Sequence, residues 1–337
     1  MANNAVTAKA RAVYGKFLKK DDYISLTHKG TIAAAIAYLK TKPLYAGTFE
    51  DTAESTIHRK QAEELIHKNA FDNYMRVCRY VADGRTGIMD FHIKQLECEQ
   101  LIKAIIAVNG GNQENFVLSY PEYISVHLDI DPFRLAASKN LPNVSEALKG
   151  TMYHKPLEPL LNEPNPDINR IVTMINVCYV KWAFEQIDKT ERGAEAEQLR
   201  EFFLRKVDAD NLLMCYRLRS TFGSNINITE MLIPYHNKLR PRDIKEALKA
   251  QDSVSALRDL FVKIRAAVPA YSDIPEISVN KADHKYFRHR LAVSDNEMES
   301  LYSLMMLFRT ECTNLCRIIE GLRYGLPPEE TEKYLIY

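Results

Sequence analysis

The chain has 337 residues, with 45 basic and 44 acidic side chains and a formal net charge of +1 at pH 7. This length is sufficient for two or three domains with a substantial core. The nearly balanced charge argues against a general affinity for nucleic acid or for anionic lipid. Only 12 glycines and 14 prolines are present, which favours helices over a turn-rich β architecture.

The start of the chain and its apolar runs argue against export and membrane insertion. Residues 1–5 lack the basic start and apolar core of a signal peptide. The best candidate for a membrane helix, 171–184, is interrupted by Asn176 and Lys181, whereas a span needs roughly 18 consecutive apolar residues. We therefore expect a cytoplasmic protein without a transmembrane segment, in which any contact with the membrane is made through another subunit. Its six cysteines are then expected to be reduced.

Helical periodicity predicts long helices in the first two thirds of the chain. A possible cap at 51–54 begins a helix to about Tyr80, and a glycine-containing break at 84–87 precedes a helix over about 88–108. Residues 116–121 fit either a short strand or irregular chain. Further helices are predicted near 155–166, 167–188 and 194–221.

The last long helix has the clearest pattern. Ser294 and Glu297 suggest a capping box at its start, and Gly325 followed by two prolines ends it. A short tail helix is predicted over 329–337. Between the two ends, apolar residues follow the alternating spacing of four and three that is typical of a packing seam. The seam consists of Leu301, Met305, Phe308, Cys312, Leu315, Ile319 and Leu322.

One motif in this helix, residues 311–320, occurs in fainter form twice upstream. When Leu101, Leu212 and Leu315 are aligned, the copies lie 111 and 103 residues apart. A repeat at a nearly constant interval indicates that one structural unit of about 105 residues has been used three times. We call the helices that carry the three copies the signature helices.

A second signal has nearly the same period. A short helical box about 65 residues before each copy occurs at 37–41, 146–153 and 246–249. The unit is too long for solenoids of the tetratricopeptide or HEAT type, whose repeats have about 34 to 47 residues. The sequence therefore predicts an all-α protein of three similar subdomains related by a pseudo-threefold axis. Their boundaries are predicted at 1–112, 113–226 and 227–337.

The repeated seam preserves packing and not a reactive group. The seam of the first signature helix consists of Phe91, Cys98, Leu101, Ile105 and Val108. The matching positions of the second are Phe202, Ala209, Leu212, Tyr216 and Arg219. Four of these five matching positions keep an apolar character.

Several residue clusters suggest chemistry, but each has a simpler interpretation. The glycines at 84–87 and 110–112 lack the spacing of a phosphate-binding loop. Cys312 and Cys316 lie one helical turn apart and could share a metal with nearby histidines. They lack the second cysteine pair of a structural zinc site, however, and Cys312 falls on the apolar seam. No cofactor and no catalytic residue is therefore predicted.

Two charged features remain open. The acids Glu97, Asp208 and Glu311 repeat in register, and we expect them on a solvated or partner-facing surface, because basic residues three positions before the first two acids can form local ion pairs. The basic stretch 281–290 could bind nucleic acid or dock an acidic protein partner, or simply be a solvated helix. The absence of other basic stretches disfavours nucleic acid.

The motifs together resemble one family. The chain is similar to the C subunit of V-type and A-type ATPases, the counterpart of the d subunit in eukaryotic vacuolar ATPases. The stretches that carry the resemblance are 10–18, 39–45 and 148–153 for the family's Leu-x-x-Thr-x-Tyr box, 207–212, 311–327 and 334–336. The third box departs from the pattern, since Ala250-Gln251-Asp252 stands there.

The resemblance implies a non-catalytic subunit of an ion-translocating rotary ATPase. It implies a helical funnel of three subdomains that connects the central shaft, made of D- and F-type subunits, to the membrane ring of proteolipid subunits for proton or sodium transport. The protein would be peripheral on the cytoplasmic face of the membrane. The alternatives are a general helical-repeat scaffold for protein assembly and a helical hydrolase.

Six polar residues are predicted to meet partners. They flank the apolar seams or lie near the start of the chain, so they are the side chains that the packed helices would leave for partner surfaces. They are Arg11, Lys94, Arg205, Glu311, Asn314 and Arg317.

Overall fold

The computed structural model describes residues 5–50, 52, 57–81, 87–223, 228–268 and 274–337. Within these residues the regular structure is helical and contains no strand, so the predicted all-α class is confirmed. Most of the predicted cap at 51–54 and of the break at 84–87 lies outside the described residues.

The described part contains seventeen α-helices and a 3-10 helix at Ile228–Met231. The α-helices are α1 (Ala5–Tyr14), α2 (Lys20–Thr27), α3 (Ile32–Lys40), α4 (Arg59–Cys78), α5 (Gly87–Gly110), α6 (Gln113–Leu118), α7 (Glu122–Ser125), α8 (Pro132–Ala136), α9 (Leu141–Ala147), α10 (His154–Leu161), α11 (Ile168–Thr190), α12 (Gly193–Phe222), α13 (Pro241–Lys249), α14 (Ser253–Leu260), α15 (Pro275–Val293), α16 (Glu297–Tyr324) and α17 (Pro328–Glu332).

The predicted long helices correspond to α4, α5, α11, α12 and α16. The ambiguous stretch 116–121 is not a strand: its first residues end α6 and the rest is a turn. The tail helix α17 ends at Glu332, earlier than predicted. It ends there because the chain beyond it leaves the helix and pairs with the side chain of Asn314 through the main chain of Ile336.

Contacts divide the chain into two compact units, and each is described separately. Unit 1 comprises residues 1–88 and 268–337. Its central helix is α16, which packs against α1, α2, α3, α4 and α15. The predicted seam is confirmed there, since six of its seven residues are buried and Leu322 is half-buried. Sequence ends that are almost 300 residues apart thus share one core.

The start of α16 differs from the prediction by two residues. Asn296 is the cap, and its side chain accepts a hydrogen bond from the Glu299 amide at 2.9 Å. Ser294 lies just after the end of α15, and its hydroxyl accepts from the Asn296 amide instead. Asparagine caps helices as well as serine does, so the sequence did not distinguish the two positions. Glu299 is then free to pair with Arg290 of α15.

Unit 2 comprises residues 89–267. In this unit α12 packs against α11 and α14, and α10 packs against α9 and α11. The aromatic rings of Phe91, Tyr179, Trp182 and Phe203 cluster in its core. The seams of the first two signature helices are buried except at Arg219, as the repeat predicts. The boundaries at 1–112, 113–226 and 227–337 and the pseudo-threefold axis remain predictions.

Candidate functional site

The acid of the third signature helix lies at the centre of a buried polar cluster in unit 1. Glu311 is 2% exposed, and its carboxyl group accepts hydrogen bonds from the hydroxyls of Tyr45 at 2.8 Å and Tyr23 at 3.3 Å. The main-chain N–H of Leu18 lies close enough to act on the pKa of this carboxyl group. Burial raises the pKa of Glu311 to about 8, and the two hydroxyls and the Leu18 N–H offset only part of this effect.

The first signature helix has a matching cluster in unit 2. Glu97 is fully buried and accepts from the hydroxyl of Tyr153 at 2.9 Å and from the main-chain N–H of Asp129 at 2.5 Å. Lys94, one turn earlier on α5, forms ion pairs with both Glu97, at 2.8 Å, and Asp129. Burial lowers the pKa of Lys94, but the two carboxylates outweigh burial and raise it overall.

The second signature helix carries the third cluster, which also belongs to unit 2. Asp208 is 1% exposed and accepts from three consecutive main-chain N–H groups, those of Asn237, Lys238 and Leu239, at 2.6 to 3.0 Å. Burial raises the pKa of Asp208, and these three hydrogen bonds work against the rise. No tyrosine hydroxyl is needed here, because main-chain donors take its place.

The sequence suggested that the three repeated acids lie on a solvated or partner-facing helix face. The structure corrects this expectation, because all three acids are buried. An isolated carboxylate is too costly to bury without partners, and each of these acids has two or more donors. In the two clusters of unit 2, main-chain N–H groups outside the signature helix are among the donors. Glu97 and Asp208 thus fix the path of a neighbouring loop against their signature helices.

An asparagine three residues after the acid makes a second repeated contact. Asn314 donates to the carbonyl of Ile336 at 2.6 Å and accepts from its N–H at 3.0 Å. Asn211 does the same with Ile233, at 3.0 and 2.9 Å. In both cases the partner lies 22 residues later in the chain. These paired hydrogen bonds hold the main chain of one later residue against the signature helix.

The first copy lacks this asparagine contact. Gln100 takes the corresponding position on α5 and is buried, but its side-chain oxygen has no hydrogen-bond partner in the described part of the chain. A longer side chain at this position places its amide group farther from the helix. The repeated acid is therefore present in all three copies, whereas the asparagine contact is present in two.

Ion pairs also determine how the first and third boxes correspond. Lys42 pairs with Asp22 at 2.6 Å, and Lys263 pairs with Asp243 at 2.9 Å. In both pairs the lysine lies 20 residues after the aspartate, and the aspartate closes a capping box at the start of its helix. The counterpart of the first box is therefore near 260–266 and not at 246–249, where the sequence placed it.

This register explains why the third copy has no box tyrosine. Ala266 stands at the position of Tyr45 and is buried. An alanine cannot donate to Asp208, which instead accepts from the three main-chain groups. The sequence comparison found Ala250-Gln251-Asp252 at the wrong place because α13 resembles the box in composition, while the true counterpart has lost the threonine and the tyrosine.

The predicted partner residues fall into different environments. Lys94 and Asn314 are buried, like Glu311, and contact neighbours within their own units. Arg11 is exposed, and its guanidinium donates to the carbonyls of Leu291 and Ser294 at 2.9 and 2.7 Å, at the carboxyl end of α15. Such a contact satisfies carbonyls that the helix leaves unpaired.

Arg205 and Arg317 are half-buried on α12 and α16. The guanidinium of Arg317 donates to the carbonyl of Tyr334, so it helps to hold the tail. Lys94 and Arg205 belong to unit 2, and the other four residues belong to unit 1. Their role in partner contacts remains a prediction.

The thiols match the packing interpretation. Cys312 is buried, and burial raises its pKa well above the usual range. Cys316 lies beside His67, with Sγ and Nε2 3.6 Å apart. Among the described residues, no group of three or more His, Cys, Asp or Glu side chains is placed to hold a metal. The same part of the chain contains no helix that is long and apolar enough to cross a membrane.

These observations define a class of protein: an all-helical repeat protein whose recurring polar residues join distant stretches of sequence into packed units. The family described as ATP synthase (C/AC39) subunit matches residues 6–334. The chain belongs to this family, and the resemblance to the C subunit of V-type and A-type ATPases is confirmed. Members are structural components of rotary ATPases and not catalytic ones.

A curated relative supports the same assignment. The chain is 21% identical over 299 residues to the C subunit of the A-type ATP synthase of Archaeoglobus fulgidus, an alignment that covers 83% of this chain and 85% of the relative. Sequence reasoning found the repeated acids and the box tyrosines but not the bonds between them. It missed Tyr23 and Asp129, for which the sequence offers no signal.

Proposed function

We propose that this chain is a rotor subunit that couples the central shaft of a V/A-type ATPase to the proteolipid ring in the membrane. It would contact D- and F-type shaft subunits on one side and the ring on the other, at the cytoplasmic face of the membrane. The observation that carries the proposal is the family match over residues 6–334, which leaves almost none of the chain for another function.

The buried polar clusters suit a subunit that transmits torque. A coupling part has to deform little under load, and buried hydrogen-bond networks give a packed unit one defined geometry. In unit 1 the cluster around Glu311 joins α16 to segments near the start of the chain. The asparagine contact then fixes the last residues to the same helix.

Association is the direct test of the proposal. A tagged copy of the chain is expressed in the native cell, and complexes are purified from detergent-solubilised membranes. We expect shaft subunits and proteolipid to be recovered together with the tagged chain. If the chain is instead a general assembly scaffold, it is recovered without the ATPase, and the same fractions contain unrelated proteins.

The strength of the attachment gives a second test. The surface combines many charges of both signs with little net charge, so we expect polar, complementary contacts that salt weakens. Washing membranes with concentrated salt should release the protein while its circular dichroism stays helical. Retention would indicate a mainly apolar interface, which the exposed Tyr334 and Tyr337 of the tail could supply.

Arg205 is the best position at which to test coupling. Unlike Lys94, Glu311 and Asn314, it is not buried, and its substitution does not remove a tail contact as at Arg317. We expect Arg205→Glu to lower ion pumping per ATP hydrolysed in reconstituted complexes. Lys245→Glu, an exposed substitution with the same charge change on α13, is the matched control. Equal coupling in both variants excludes Arg205 as a partner contact.

A further inference from the structure

A cavity of about 370 Å³ lies in unit 1 beside the buried Glu311. It lies between the turn after α1, the helices α15 and α16, and the last two residues of the chain. Among its lining residues are Leu18, whose main-chain N–H lies close enough to act on the pKa of Glu311, and Ile336, which is held by Asn314. The cavity therefore touches both main-chain segments that meet the polar side chains of this signature helix, at Leu18 and at Ile336. We call these two segments the anchors.

In unit 2 the same two anchors are joined by a continuous peptide. Asn211 holds Ile233, and Asp208 accepts from the main chain of Leu239. The residues between them, 234–238, run along α12. The ring of Tyr235 packs edge-on against Phe184, with the ring centres 5.5 Å apart, and lies on an apolar cluster that includes Ile233.

In unit 1 no peptide joins the two anchors, because Ile336 and Leu18 come from distant parts of the sequence. The helix positions next to residues 234–238 in unit 2 have counterparts in unit 1. Val207 and Asp208 on α12 correspond to Thr310 and Glu311 on α16, and both of the latter line the cavity. The cavity thus lies along the path that residues 234–238 follow in the other copy.

The charges around the cavity indicate what it would accept. Lys19, Lys20 and Arg288 line it and are exposed. Lys19 lies over the ring of Tyr14, and Lys20 lies over the ring of Tyr337. Arg288 has no ion pair within the described residues. Burial, aided by the charge of Arg288, lowers the pKa of the neighbouring His284 to about 4, so this ring is neutral at pH 7.

The walls of the cavity are aromatic as well as basic. Tyr14, Phe17, Tyr23 and Tyr337 line it, and Tyr23 and Tyr337 stack on each other with ring centres 6.3 Å apart. Aromatic walls favour an aromatic guest, because such pairs gain stability beyond the area they bury. Three cations at the rim favour a guest with acidic residues.

We propose that this cavity is a docking site for an extended, acidic segment of a partner protein that carries an aromatic side chain. The segment would follow the course that residues 234–238 take in unit 2. Its acidic groups would lie near Lys20 and Arg288, and its aromatic ring would lie against Tyr23 and Tyr337. This surface goes beyond the proposed coupling role and does not depend on which partner supplies the segment.

A peptide based on the segment of unit 2 that joins the two anchors provides the probe. It is a fluorescein-labelled heptapeptide with the sequence of residues 233–239 that carries His236→Glu and Lys238→Glu, and its binding to the full chain is followed by fluorescence anisotropy. We expect saturable binding that salt weakens. The heptapeptide with the unchanged sequence, which is basic, should bind at least fivefold more weakly.

Substitutions at the rim locate the site. Arg288→Glu and Lys20→Glu should each weaken binding of the acidic peptide about tenfold, as expected for reversal of a contacting charge. Lys285→Glu is the control, because Lys285 is exposed on the same helix but does not line the cavity. It should change binding less than twofold. Circular dichroism of each variant verifies that the helices are intact.

Crosslinking provides a measurement that does not depend on substitutions in the protein. A photoreactive benzoyl-phenylalanine at the tyrosine of the acidic peptide should crosslink to residues that line the cavity, foremost Tyr23 and Tyr337. Lack of saturable binding by the acidic peptide overturns the proposal. So do equal losses of binding in Arg288→Glu and Lys285→Glu, or crosslinks that map outside the cavity.

Discussion

The hydroxyl of Tyr45 donates to the carboxyl group of Glu311 at 2.8 Å, although the two residues are 266 positions apart in the sequence. One belongs to the first copy of the box and the other to the third signature helix. The same pairing occurs between Tyr153 and Glu97, at 2.9 Å and 56 positions. The recurring element is thus a pair formed between copies of the repeat and not within one copy.

The box tyrosines are predicted to stabilise their units through this single hydroxyl. Tyr45→Phe and Tyr153→Phe should each lower the free energy of unfolding by about 1–3 kcal/mol, because each leaves a buried carboxyl group with one hydrogen-bond partner fewer. Tyr80→Phe, at a side chain that is 48% exposed, should have almost no effect. Urea unfolding measures all three. An effect at Tyr45 as small as that at Tyr80 would show that the hydrogen bond contributes nothing to stability.

The stability of unit 1 is predicted to depend on pH through Glu311. Its pKa is about 8 in the folded chain against an ordinary value of 4.5, so between these values the folded form keeps a proton that the unfolded form has lost. Stability therefore falls as pH rises through this window, by up to about 1.4 kcal/mol per pH unit.

Glu311→Gln should remove that part of the pH dependence, because the amide does not titrate. Urea unfolding at about pH 5, 6 and 7, inside the window, measures the slope. The exposed substitution Glu329→Gln on α17 is the control and should keep the slope of the unmodified chain. Parallel slopes for Glu311→Gln and the unmodified chain would mean that the carboxyl group has an ordinary pKa.

The asparagine contacts are predicted to matter more than their counterpart in the first copy. Asn314→Ala and Asn211→Ala each remove two hydrogen bonds to buried main chain, at a cost of about 2–4 kcal/mol. Gln100→Ala should cost less in hydrogen bonding, since its oxygen has no partner in the described residues.

Limited proteolysis separates the two asparagine variants. Asn314→Ala should expose the tail around Ile336 to cleavage, whereas Asn211→Ala should expose the segment around Ile233. An intact tail in the Asn314→Ala protein, at a protease concentration that cleaves the Asn211→Ala protein, would refute the view that Asn314 holds it.

Gly321 is predicted to be required where α17 crosses α16. A Cβ atom at this position would lie 2.3 Å from the hydroxyl oxygen of Thr331, which is too close for atoms that are not bonded. Alanine normally stabilises a helix by about 1 kcal/mol relative to glycine, but here the clash should reverse the sign and cost about 1–3 kcal/mol.

A double-mutant cycle tests this explanation. In a Thr331→Ala background the nearest remaining side-chain atom, the Cβ of residue 331, lies at 3.4 Å. Gly321→Ala should then be neutral or stabilising. If Gly321→Ala is equally destabilising in both backgrounds, Thr331 is not the cause.

Much of the local structure could be predicted from the sequence, because it depends on short-range patterns. The spacing of Leu301, Met305 and Leu315 determines which face of α16 is apolar, and those residues are buried. Most long helices begin and end close to the predicted residues for the same reason, but α4 begins at Arg59 and not at the cap predicted at 51–54. The all-α class and the family follow from these patterns together with the recurring motifs.

The cap of α16 and the third box show where local patterns were insufficient. Ser294 and Asn296 are both good caps, and only packing between α15 and α16 decides which one is used. The counterpart of the first box near 260–266 lacks the tyrosine. It became recognisable only through the ion pair of Lys263 with Asp243, which matches that of Lys42 with Asp22.

The sequence by itself determined the helices, their apolar faces and the existence of a repeat, since these follow from periodicity along the chain. Tertiary structure alone decided what the repeated acids do. An acid three residues after a lysine on a helix is compatible with a solvated ion pair, as expected for Glu97 and Lys94. Its burial depends on donors such as Asp129 and Tyr153, which approach from elsewhere in the chain, and no local pattern encodes that approach.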